Sequence, residues 1–536
     1  MLMKDSIKNR FGLLNDEPSE MKHLKEYFNM YQGKDVALDD DVCRDIDLDD
    51  MFCYADRCIT PIGELMLYYR FRRMKRSCRL ADDEEDISKI RENEEFRAKV
   101  EAALGAVNGK KGLSVTSLLN MSVKIARWHR FAWLIPVFEC SLLLLILLYL
   151  PPAAAIVYAV IVLTFNVFVH NFNKSYVDLF IRPLIQLDQV RQSAVRLSGI
   201  DRFNNLNDVL NSVHNLSRLS RKLRIFSLNG ILESDVMIVF YGLIELIKTI
   251  CCVEPIMTYV ILRKINDVGK DARTLIEYIG EWDVLYSIAS FRTWMESCGF
   301  AWSCPEFTDC KKSIDMEDVY HPLIKDCVSN SIRISGKSVI ITGSNMSGKS
   351  SFIKTMVVNI VSSYAMNMCF ANRMSLPECR ISTVLSVTDD LDEGKSYYMS
   401  EILRIKSIID RCRTKDNGLM DIVLIDEIFK GTNTIERISI ADAVIRYLSA
   451  LDGTYVLVST HDIELARSFR ETLDTYHFSE SMHDGKLVFN YRLTPGVEYT
   501  RNAISILKNC GYPGEIIRNA ESNTLKVSAN MDSISL

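Results

Sequence analysis

The spacing of apolar residues divides the chain into a helical first part and an alternating second part. Over residues 51–125, and again over 175–300, apolar side chains recur every three or four positions, which is the period of an amphipathic helix. A turn is predicted at Thr60-Pro61, where proline interrupts the first of these patterns. The spacing therefore predicts a mostly α-helical N-terminal region.

The strongest apolar excess lies at residues 131–170. Phe131–Leu150 contains one charged residue, Glu139, whereas Ala153–Val169 contains none, and a Pro-Pro pair separates the two runs. Each run is about long enough to cross a hydrocarbon core of roughly 30 Å. We therefore predict a transmembrane helical hairpin at 131–170. The alternative is a hairpin buried in a soluble core, which usually carries a polar stripe that is missing here.

Basic residues flank this hairpin on both sides, which by the positive-inside rule predicts cytoplasmic flanks and association with a membrane. They are Lys124, Arg127 and Arg130 before it and Lys174 and Arg182 after it. Another apolar stretch, Val236–Leu262, is interrupted by Glu245, Lys248 and Glu254. It is predicted to be an interior or interfacial helix rather than a third span.

From about residue 318, short β-branched runs alternate with helical patterns. This alternation predicts an α/β sheet with helices on its faces. The predicted strands are Ser338–Thr342, Ile381–Val387, Ile422–Asp426, Tyr455–Thr460 and Leu487–Leu493.

Length and composition fit a multidomain intracellular protein. The 536 residues exceed what one core usually holds, roughly 250–300 residues. The formal net charge of −5 gives no overall basic field, so binding to nucleic acid would need a local patch. The 15 cysteines show no zinc-ligand spacing and no secretory segment opens the chain, which favours free thiols in the cytosol.

An acidic cluster lies within residues 1–50. The spacing Asp45-x-Asp47-x-Asp49 is similar to that of a calcium-binding loop, but Asp50 stands where such a loop needs glycine. A solvated acidic face that caps helices is the preferred interpretation.

A phosphate-binding loop is predicted where Gly343-x-x-x-x-Gly348-Lys349-Ser350 follows an apolar strand and precedes a helical pattern. In such a loop the glycines let backbone N–H groups face phosphates at a helix N-terminus. Lys349 is predicted to act on the β- and γ-phosphates of ATP as a catalytic residue, and Ser350 to bind Mg²⁺.

Two further strand ends carry candidate catalytic residues. One apolar strand ends in Asp426 and Glu427, which are predicted to hold Mg²⁺ and to polarise the attacking water, respectively. The strand Tyr455–Thr460 is followed by His461, which is placed to sense a γ-phosphate, although a lone histidine is more often structural. Together the motifs predict an enzyme that hydrolyses ATP, with ATP and Mg²⁺ as cofactors.

Four blocks of this region resemble the ATPases of the MutS family. They are Thr342–Ser351 (family form TGPNMGGKST), Asp389–Glu401 (DDL-x-x-GRSTF-M-x-E), Asp426–Thr434 (DEIGRGTST) and Ser459–His461 (ATH). Asn345 and Met346 are the most characteristic matches in the first block. More weakly, Ile59–Glu64 and Gly280–Leu285 are similar to the two ends of the family's helical core.

The resemblance implies composite ATP sites in a homodimer. Ser396 would complete the site of the partner protomer in trans, and the loop Gly431–Thr434 would lie at that interface. Ser350 and Asp426 would hold Mg²⁺. The nucleotide-binding loop residues would be Gly343, Ser344, Asn345, Met346, Ser347, Gly348, Lys349, Ser350 and Ser351.

The sequence also departs from the family pattern. It begins almost at the helical core, which leaves no room for a mismatch-reading domain, and it ends soon after the sheet. Ser344 and Ser347 replace the proline and glycine of the loop, and Lys430 replaces the usual arginine. The pattern is most similar to short MutS-like proteins that carry a membrane hairpin.

The expected fold is multidomain: a mostly α-helical core and lever region with a transmembrane hairpin, followed by an α/β P-loop ATPase domain of the ABC type. The expected segments are 1–50 (polar and acidic), 51–130 (helical core, first part), 131–170 (hairpin), 171–317 (helical core and lever, second part), 318–500 (ATPase domain) and 501–536 (C-terminal helical dimerisation segment and tail).

Two functions fit these features. One is a MutS-like, mismatch-repair-related ATPase that acts as a dimeric switch, with double-stranded DNA as a candidate ligand. The other is a membrane-anchored mechanical or signalling ATPase that does not recognise DNA. An ABC transporter subunit is disfavoured because no LSGGQ-type segment is found.

Overall fold

Two compact units make up the protein in the computed structural model. The first comprises Met1–Asp35, Ala55–Tyr69 and Ala81–Ser297, and the second comprises Val36–Tyr54, Arg70–Leu80 and Cys298–Leu536. The structure describes residues 11–13, 21–31, 38–74, 80–107, 131, 133–200, 206–224, 246–247, 249–250, 253–308, 313–344, 346–385, 397–414, 419–429, 432–483, 486–497, 504, 507–508 and 511–523.

Helices build the first part of the chain, as the spacing of apolar residues predicts. They are α1 (Met21–Tyr31), α2 (Asp40–Asp45), α3 (Leu48–Ala55), α4 (Pro61–Arg73), α5 (Leu80–Glu92), α6 (Glu94–Leu104), α7 (Leu134–Tyr149), α8 (Pro152–Ser198), α9 (Leu206–Arg224) and α10 (Val253–Ser297). The helical pattern ends at Ser297, and strands begin within the segment 298–317.

The start of α4 and the middle of α10 meet at a buried carboxylate. Asp283 accepts hydrogen bonds from the backbone N–H of Thr60 (2.8 Å) and from its hydroxyl (2.6 Å). Glycines allow this approach, since a Cβ on Gly63 would lie 2.2 Å from Asp283 Oδ2 and one on Gly280 would lie 2.1 Å from Met66 Cγ. The structure therefore brings together the two segments that resemble the ends of the family's core.

The apolar hairpin has its polar groups inside and its apolar groups outside. Asn166 is 1% exposed, and its Nδ2 donates to Oε2 of Glu139 at 3.1 Å. The Tyr158 hydroxyl donates to the Glu139 carbonyl at 3.1 Å. The exposed side chains of α7 and of the first part of α8 include Phe138, Leu144, Leu147, Leu148, Ile156, Val160, Ile161 and Phe168. This polarity is the reverse of a soluble helical core.

The two helices of the hairpin differ in length. Among the described residues, Pro152–Phe172 is long and apolar enough to cross a membrane, with 21 residues that are almost all outside the buried core. Helix α7 has 16 residues, or about 24 Å at 1.5 Å per residue, which is shorter than the predicted run because Leu150 is already extended before the Pro-Pro pair.

Two sheets build the second unit. A six-stranded sheet has the order β10-β9-β4-β8-β7-β6, and a four-stranded sheet has the order β1-β5-β2-β3. Strands β9, β4, β8, β7 and β6 are mutually parallel, and β10 is antiparallel to β9. The strands are β1 (Glu306–Phe307), β2 (Ser313–Val319), β3 (Asn330–Ser335), β4 (Val339–Thr342), β5 (Arg373–Leu376), β6 (Cys379–Val384), β7 (Met420–Asp426), β8 (Thr454–Thr460), β9 (Asp474–His483) and β10 (Lys486–Pro495).

Helices cover this parallel sheet and bury its central strands. They are α11 (Lys349–Met366), α12 (Tyr397–Arg413), α13 (Thr434–Ser449) and α14 (Ile463–Ser468). Every residue of β4 and β8 is buried, as expected for parallel strands covered on both faces. A helical region followed by α/β sheets is thus confirmed, and the five predicted strands correspond to β4, β6, β7, β8 and β10.

The acidic segment around α2 packs in the second unit. Asp45 is fully buried and accepts hydrogen bonds from Thr383 Oγ1 (2.6 Å) and from the guanidinium of Arg404 (2.6 Å). Lys354 of α11 pairs with Asp47 at 2.8 Å. The prediction of a solvated acidic face is therefore wrong for Asp45, because protein donors replace the water that a buried carboxylate would lose.

Candidate nucleotide-binding site

The loop between β4 and α11 has a conformation that requires glycine. Gly343 and Gly348 have φ angles of 151° and 108°, and a Cβ on Gly343 would lie 2.9 Å from the Phe478 carbonyl oxygen. Met346, between them, also has a positive φ of 75°. The loop leads directly into α11, whose first N–H groups and positive dipole end favour an anion.

Lys349 and Ser350 occupy the first turn of α11. Lys349 is buried, and its Nζ donates to the carbonyl oxygens of Gly343 and Ser344, both at 2.8 Å. The Ser350 hydroxyl donates to Oδ2 of Asp426 at the end of β7. The structure thus brings together the ammonium group, the hydroxyl and the carboxylate that the sequence places in two separate motifs.

Oxygen ligands for Mg²⁺ are present where the sequence predicts them. Ser350 and Asp426 are in contact, and the hydroxyl of Ser459 on β8 donates to the other carboxylate oxygen of Asp426. Among the described residues no group of three or more His, Cys, Asp or Glu side chains could hold a metal ion. Mg²⁺ commonly binds through one or two protein oxygens together with phosphates and water, so this donor set fits it.

Glu427 and His461 form a pair at the ends of β7 and β8. Nδ1 of His461 lies 3.2 Å from Oε1 of Glu427. This hydrogen bond is the largest cause that raises the pKa of His461; burial opposes it, and the charges of Glu427 and Asp462 add to it. Glu427 has a φ of 52°, so the chain turns sharply after Asp426 and the adjacent acids point in different directions.

A cavity of about 630 Å³ lies beside the loop. Its loop-side lining includes Met346, Gly348, Lys349, Ser350, Ser351, Asp426 and Glu427. The rest of its lining includes Ile324, Lys325, Asp326, Cys327, Asn330 and Tyr491. The cavity therefore combines cationic and hydrogen-bonding groups suited to phosphates with apolar and aromatic groups suited to a flat organic group.

Tyr491 is a site residue that the sequence reasoning missed. It lies at an irregularity in the β9–β10 pairing and has a φ of 52°. Asn330 holds this bulge, because its side chain donates to the Tyr491 carbonyl (3.0 Å) and accepts from the Leu493 N–H (2.7 Å). A Cβ on Gly348 would lie 3.2 Å from the Tyr491 ring, so the ring packs against the loop. Bulges often redirect a side chain near functional sites.

Glu480 is a second residue at the site for which the sequence pattern carries no signal. It lies on β9 and accepts a hydrogen bond from the hydroxyl of Ser344. Ser344 stands where the family pattern has proline, so a hydrogen bond replaces the stiffness of a proline ring at this position.

The predicted site residues are largely brought together. Ser347 is buried within the loop, whereas Met346 and Ser351 are exposed. Asn345 and Ser396 lie outside the described residues, so their predicted roles stay predictions. Gly343, Ser344, Lys349, Ser350, Asp426, Glu427 and His461 all lie at the carboxyl edge of the six-stranded sheet.

Comparisons with known proteins agree with the resemblance read from the motifs. Residues 339–528 match the family model described as MutS domain V. The chain is also similar to the DNA mismatch repair protein MutS of Staphylococcus haemolyticus, with 29% identity over 228 residues. That match covers 40% of this chain and 25% of the relative, so the chain spans about a quarter of the relative's length. Over these residues the chain is similar to proteins of the MutS family.

Proposed function

We propose that this protein is a MutS-like ATPase that works as a nucleotide-switched dimer. The observation that carries the proposal is that Lys349, the Ser350–Asp426 pair and Glu427 line a single cavity, with His461 hydrogen-bonded to Glu427. A cation, an Mg²⁺ donor set and an acid–base pair are what phosphoryl transfer to water requires.

Each residue has a role that its position supports. Lys349 would exchange its two loop carbonyl acceptors for β- and γ-phosphate oxygens when ATP binds. Ser350 and Asp426 would hold Mg²⁺, which neutralises charge that develops on the phosphates. Glu427 would orient the attacking water, and His461 would set how often Glu427 is available to that water through their hydrogen bond.

Two strongly exposed apolar residues are available for contact with a partner. Met346 in the loop is 82% exposed, and Ile435 at the start of α13 is 79% exposed. In the proposed homodimer a second protomer covers this face, and Ser396 reaches the partner's nucleotide. ATP binding would then close the two protomers and hydrolysis would release them.

DNA is proposed as a ligand because the similar relative carries the name of a mismatch repair protein. Binding through phosphate contacts must weaken steeply as salt rises. We expect the full-length chain to bind a DNA duplex at ~50 mM salt and to release it as salt increases. If the chain does not bind DNA at the low salt concentration, the second candidate function is favoured, a membrane-anchored ATPase that does not recognise DNA.

The test of ATP hydrolysis compares Lys349→Ala with the wild type and with Lys406→Ala. Lys406 is an exposed lysine on α12 and serves as a matched control. We expect Lys349→Ala to abolish phosphate release and Lys406→Ala to leave it unchanged. Equal ATPase activity in Lys349→Ala and wild type would refute the proposal.

A membrane-anchored ATPase that does not recognise DNA is the second candidate. The reversed polarity of the hairpin favours it, because Asn166 and Glu139 pair inside while apolar side chains face outward. The mostly apolar helical segment of 21 residues spans about 30 Å, the thickness of a hydrocarbon core. In this proposal the hairpin anchors a cytoplasmic ATPase.

Membrane anchoring is tested by fractionation and detergent release. Leu148→Asp with Phe168→Asp places two charges on the outer face, each costing about 2.5–3.5 kcal/mol inside a bilayer. We expect the wild type to stay with membranes at high salt and this double variant to move toward the soluble fraction. Leu210→Asp, at an exposed leucine of α9, is the control. A wild-type protein that stays soluble without detergent contradicts the anchor.

A further inference from the structure

The turn that presents Glu427 is strained. Glu427 and Phe429 both have left-handed φ angles, 52° and 60°, which side chains larger than glycine seldom adopt. The side chains of Ile428 and Phe429 are nevertheless buried. Such a conformation persists only where the surrounding structure holds it, and strained residues of this kind cluster at functional sites.

Helix α12 holds this turn through a buried carboxylate. Oε1 of Glu401 accepts a hydrogen bond from the backbone N–H of Phe429 at 2.6 Å. Glu401 is itself buried, and one turn earlier the Tyr398 ring packs edge-on against the Phe429 ring with centroids 6.3 Å apart. Both contacts fix the backbone two residues after Glu427, so the direction of the Glu427 side chain depends on where α12 lies.

The position of α12 is fixed in turn by the acidic segment. Arg404, one turn after Glu401, pairs with the fully buried Asp45 of α2 at 2.6 Å. Two turns further on, Arg411 pairs with Asp39 at 2.6 Å. Asp45 also accepts from Thr383 Oγ1 on β6, so a single carboxylate ties α2, β6 and α12 together.

We infer that Glu401 and Asp45 are positioning residues for the candidate catalytic carboxylate: Glu401 holds the turn that presents Glu427, and Asp45 holds the helix that carries Glu401. The inference rests on the proposed ATP hydrolysis. Neither residue contacts the nucleotide cavity, so both act through the geometry of Glu427 rather than through binding.

The predicted kinetic signature is a loss of turnover without a matching loss of nucleotide binding. A displacement of about 1 Å at a reacting group can cost about 100-fold in rate. We therefore expect Glu401→Ala to lower kcat by about that factor, while the dissociation constant for ATP stays close to the wild-type value. Glu401→Gln keeps an oxygen that can accept from the Phe429 N–H, so it should lose only about fivefold.

The first experiment measures kcat, KM and ATP binding for Glu401→Ala and Glu401→Gln in the full-length chain. Asp410→Ala, an exposed acid on the same helix, is the matched control. Hydrogen exchange of the peptide around Phe429 gives a readout independent of activity, and exchange should accelerate in Glu401→Ala only. If Glu401→Ala has wild-type kcat and unchanged hydrogen exchange, the inference is overturned and the proposed ATPase is not. If the wild type itself does not hydrolyse ATP, the proposed ATPase is overturned.

The second experiment tests the anchor with Asp45→Asn, Arg404→Gln and the double variant. If the two residues act as one pair, the double variant loses no more kcat than the worse single variant. Additive losses would contradict a shared role. Because Asp45 is buried and its variants could unfold, the half-exposed pair Asp39–Arg411 is the second target, with Asp39→Asn and Arg411→Gln compared in the same way. Wild-type kcat in both sets of variants would overturn the role of the acidic segment.

Discussion

Nδ1 of His461 lies 3.2 Å from Oε1 of Glu427, so one hydrogen-bonded pair joins the ends of two neighbouring strands. In this pair the protonated imidazole of His461 donates to the carboxylate of Glu427. The ionisation of His461 therefore controls how much of the time Glu427 can accept a hydrogen bond from water instead.

The pair predicts a pH dependence of ATP hydrolysis. The hydrogen bond to Glu427 raises the pKa of His461 above its ordinary value of 6.5. As pH rises through that higher value, the imidazolium loses its proton and Glu427 is released to orient water, so kcat should rise and then level off. The stability that the pair adds to the folded protein changes in the opposite direction. It is fully present below pH 6.5 and is lost as pH rises through the higher pKa of His461.

His461→Gln is the variant that checks this prediction. It should remove the rising limb from a plot of kcat against pH, because the imidazole that titrates beside Glu427 is then replaced by an amide. An unchanged limb in His461→Gln would assign the titration to another group.

A second pH dependence is predicted in the helical unit. Burial, together with the charges of Asp56 and Asp283, raises the pKa of Glu64 to about 8. Because the folded-state pKa lies above the unfolded value, the stability tied to protonated Glu64 is fully present below pH 4.5 and is lost as pH rises through about 8. Glu64→Gln should therefore stabilise the unit at pH 9 by on the order of 2 kcal/mol, with little effect at pH 4.

Thermal unfolding at the two pH values measures this effect. The control is Glu92→Gln, which changes an exposed carboxylate at the end of α5. It should change Tm very little at either pH 4 or pH 9. If Glu64→Gln behaves like Glu92→Gln at pH 9, the carboxyl group is not the source of the instability.

The hydrogen bond from Ser344 to Glu480 predicts that nucleotide affinity depends on a residue outside the loop. Ser344→Ala removes the donor and should weaken ATP binding by about 5- to 10-fold, which is about 1 kcal/mol, the usual net contribution of one hydrogen bond. Glu480→Gln retains an acceptor and should have a smaller effect. Titration with a fluorescent ATP analogue measures both, with the exposed Glu471→Gln as control. Equal affinities in all four proteins would contradict a role for this bond.

Tyr491 is predicted to stack on the base of the nucleotide. Its ring lines the cavity and packs against Gly348. Tyr491→Ala should raise KM for ATP by about tenfold, in line with the stacking energy of one base on one aromatic ring, and Tyr491→Phe should preserve it. The control is Tyr447→Ala, which removes an equally exposed tyrosine from α13. A KM in Tyr491→Ala that matches the control would place the base elsewhere.

The central part of the site could be predicted from the sequence because it depends on strand ends. Strands β4, β7 and β8 each contain a continuous apolar run that is followed at once by a polar residue. Parallel neighbours end at the same edge of a sheet, so Gly343, Asp426 and His461 had to come together. The register of β4, β8 and β7 in the structure confirms that neighbourhood.

Other features depend on contacts that the sequence pattern does not encode. The burial of Asp45 requires Arg404 and Thr383, which lie more than 330 positions away in the chain. Tyr491 reaches the cavity because of a bulge held by Asn330, and neither residue carries a motif. The sequence of β2 alternates as a strand should, since buried Ile314 and Met316 are separated by polar residues. This alternation is short and directly follows a region of helical spacing, so it does not stand out as a strand.

ATP turnover by the full-length protein carrying Glu427→Gln, measured beside ATP binding, tests the central claim most directly. Loss of a general base typically lowers the rate by about 10²–10⁴-fold. The predicted result is a wild type that releases phosphate with Mg²⁺ and ATP, and a Glu427→Gln variant that binds ATP but turns it over at least about 100-fold more slowly. A wild type without turnover, or a Glu427→Gln variant with wild-type turnover, would contradict the account.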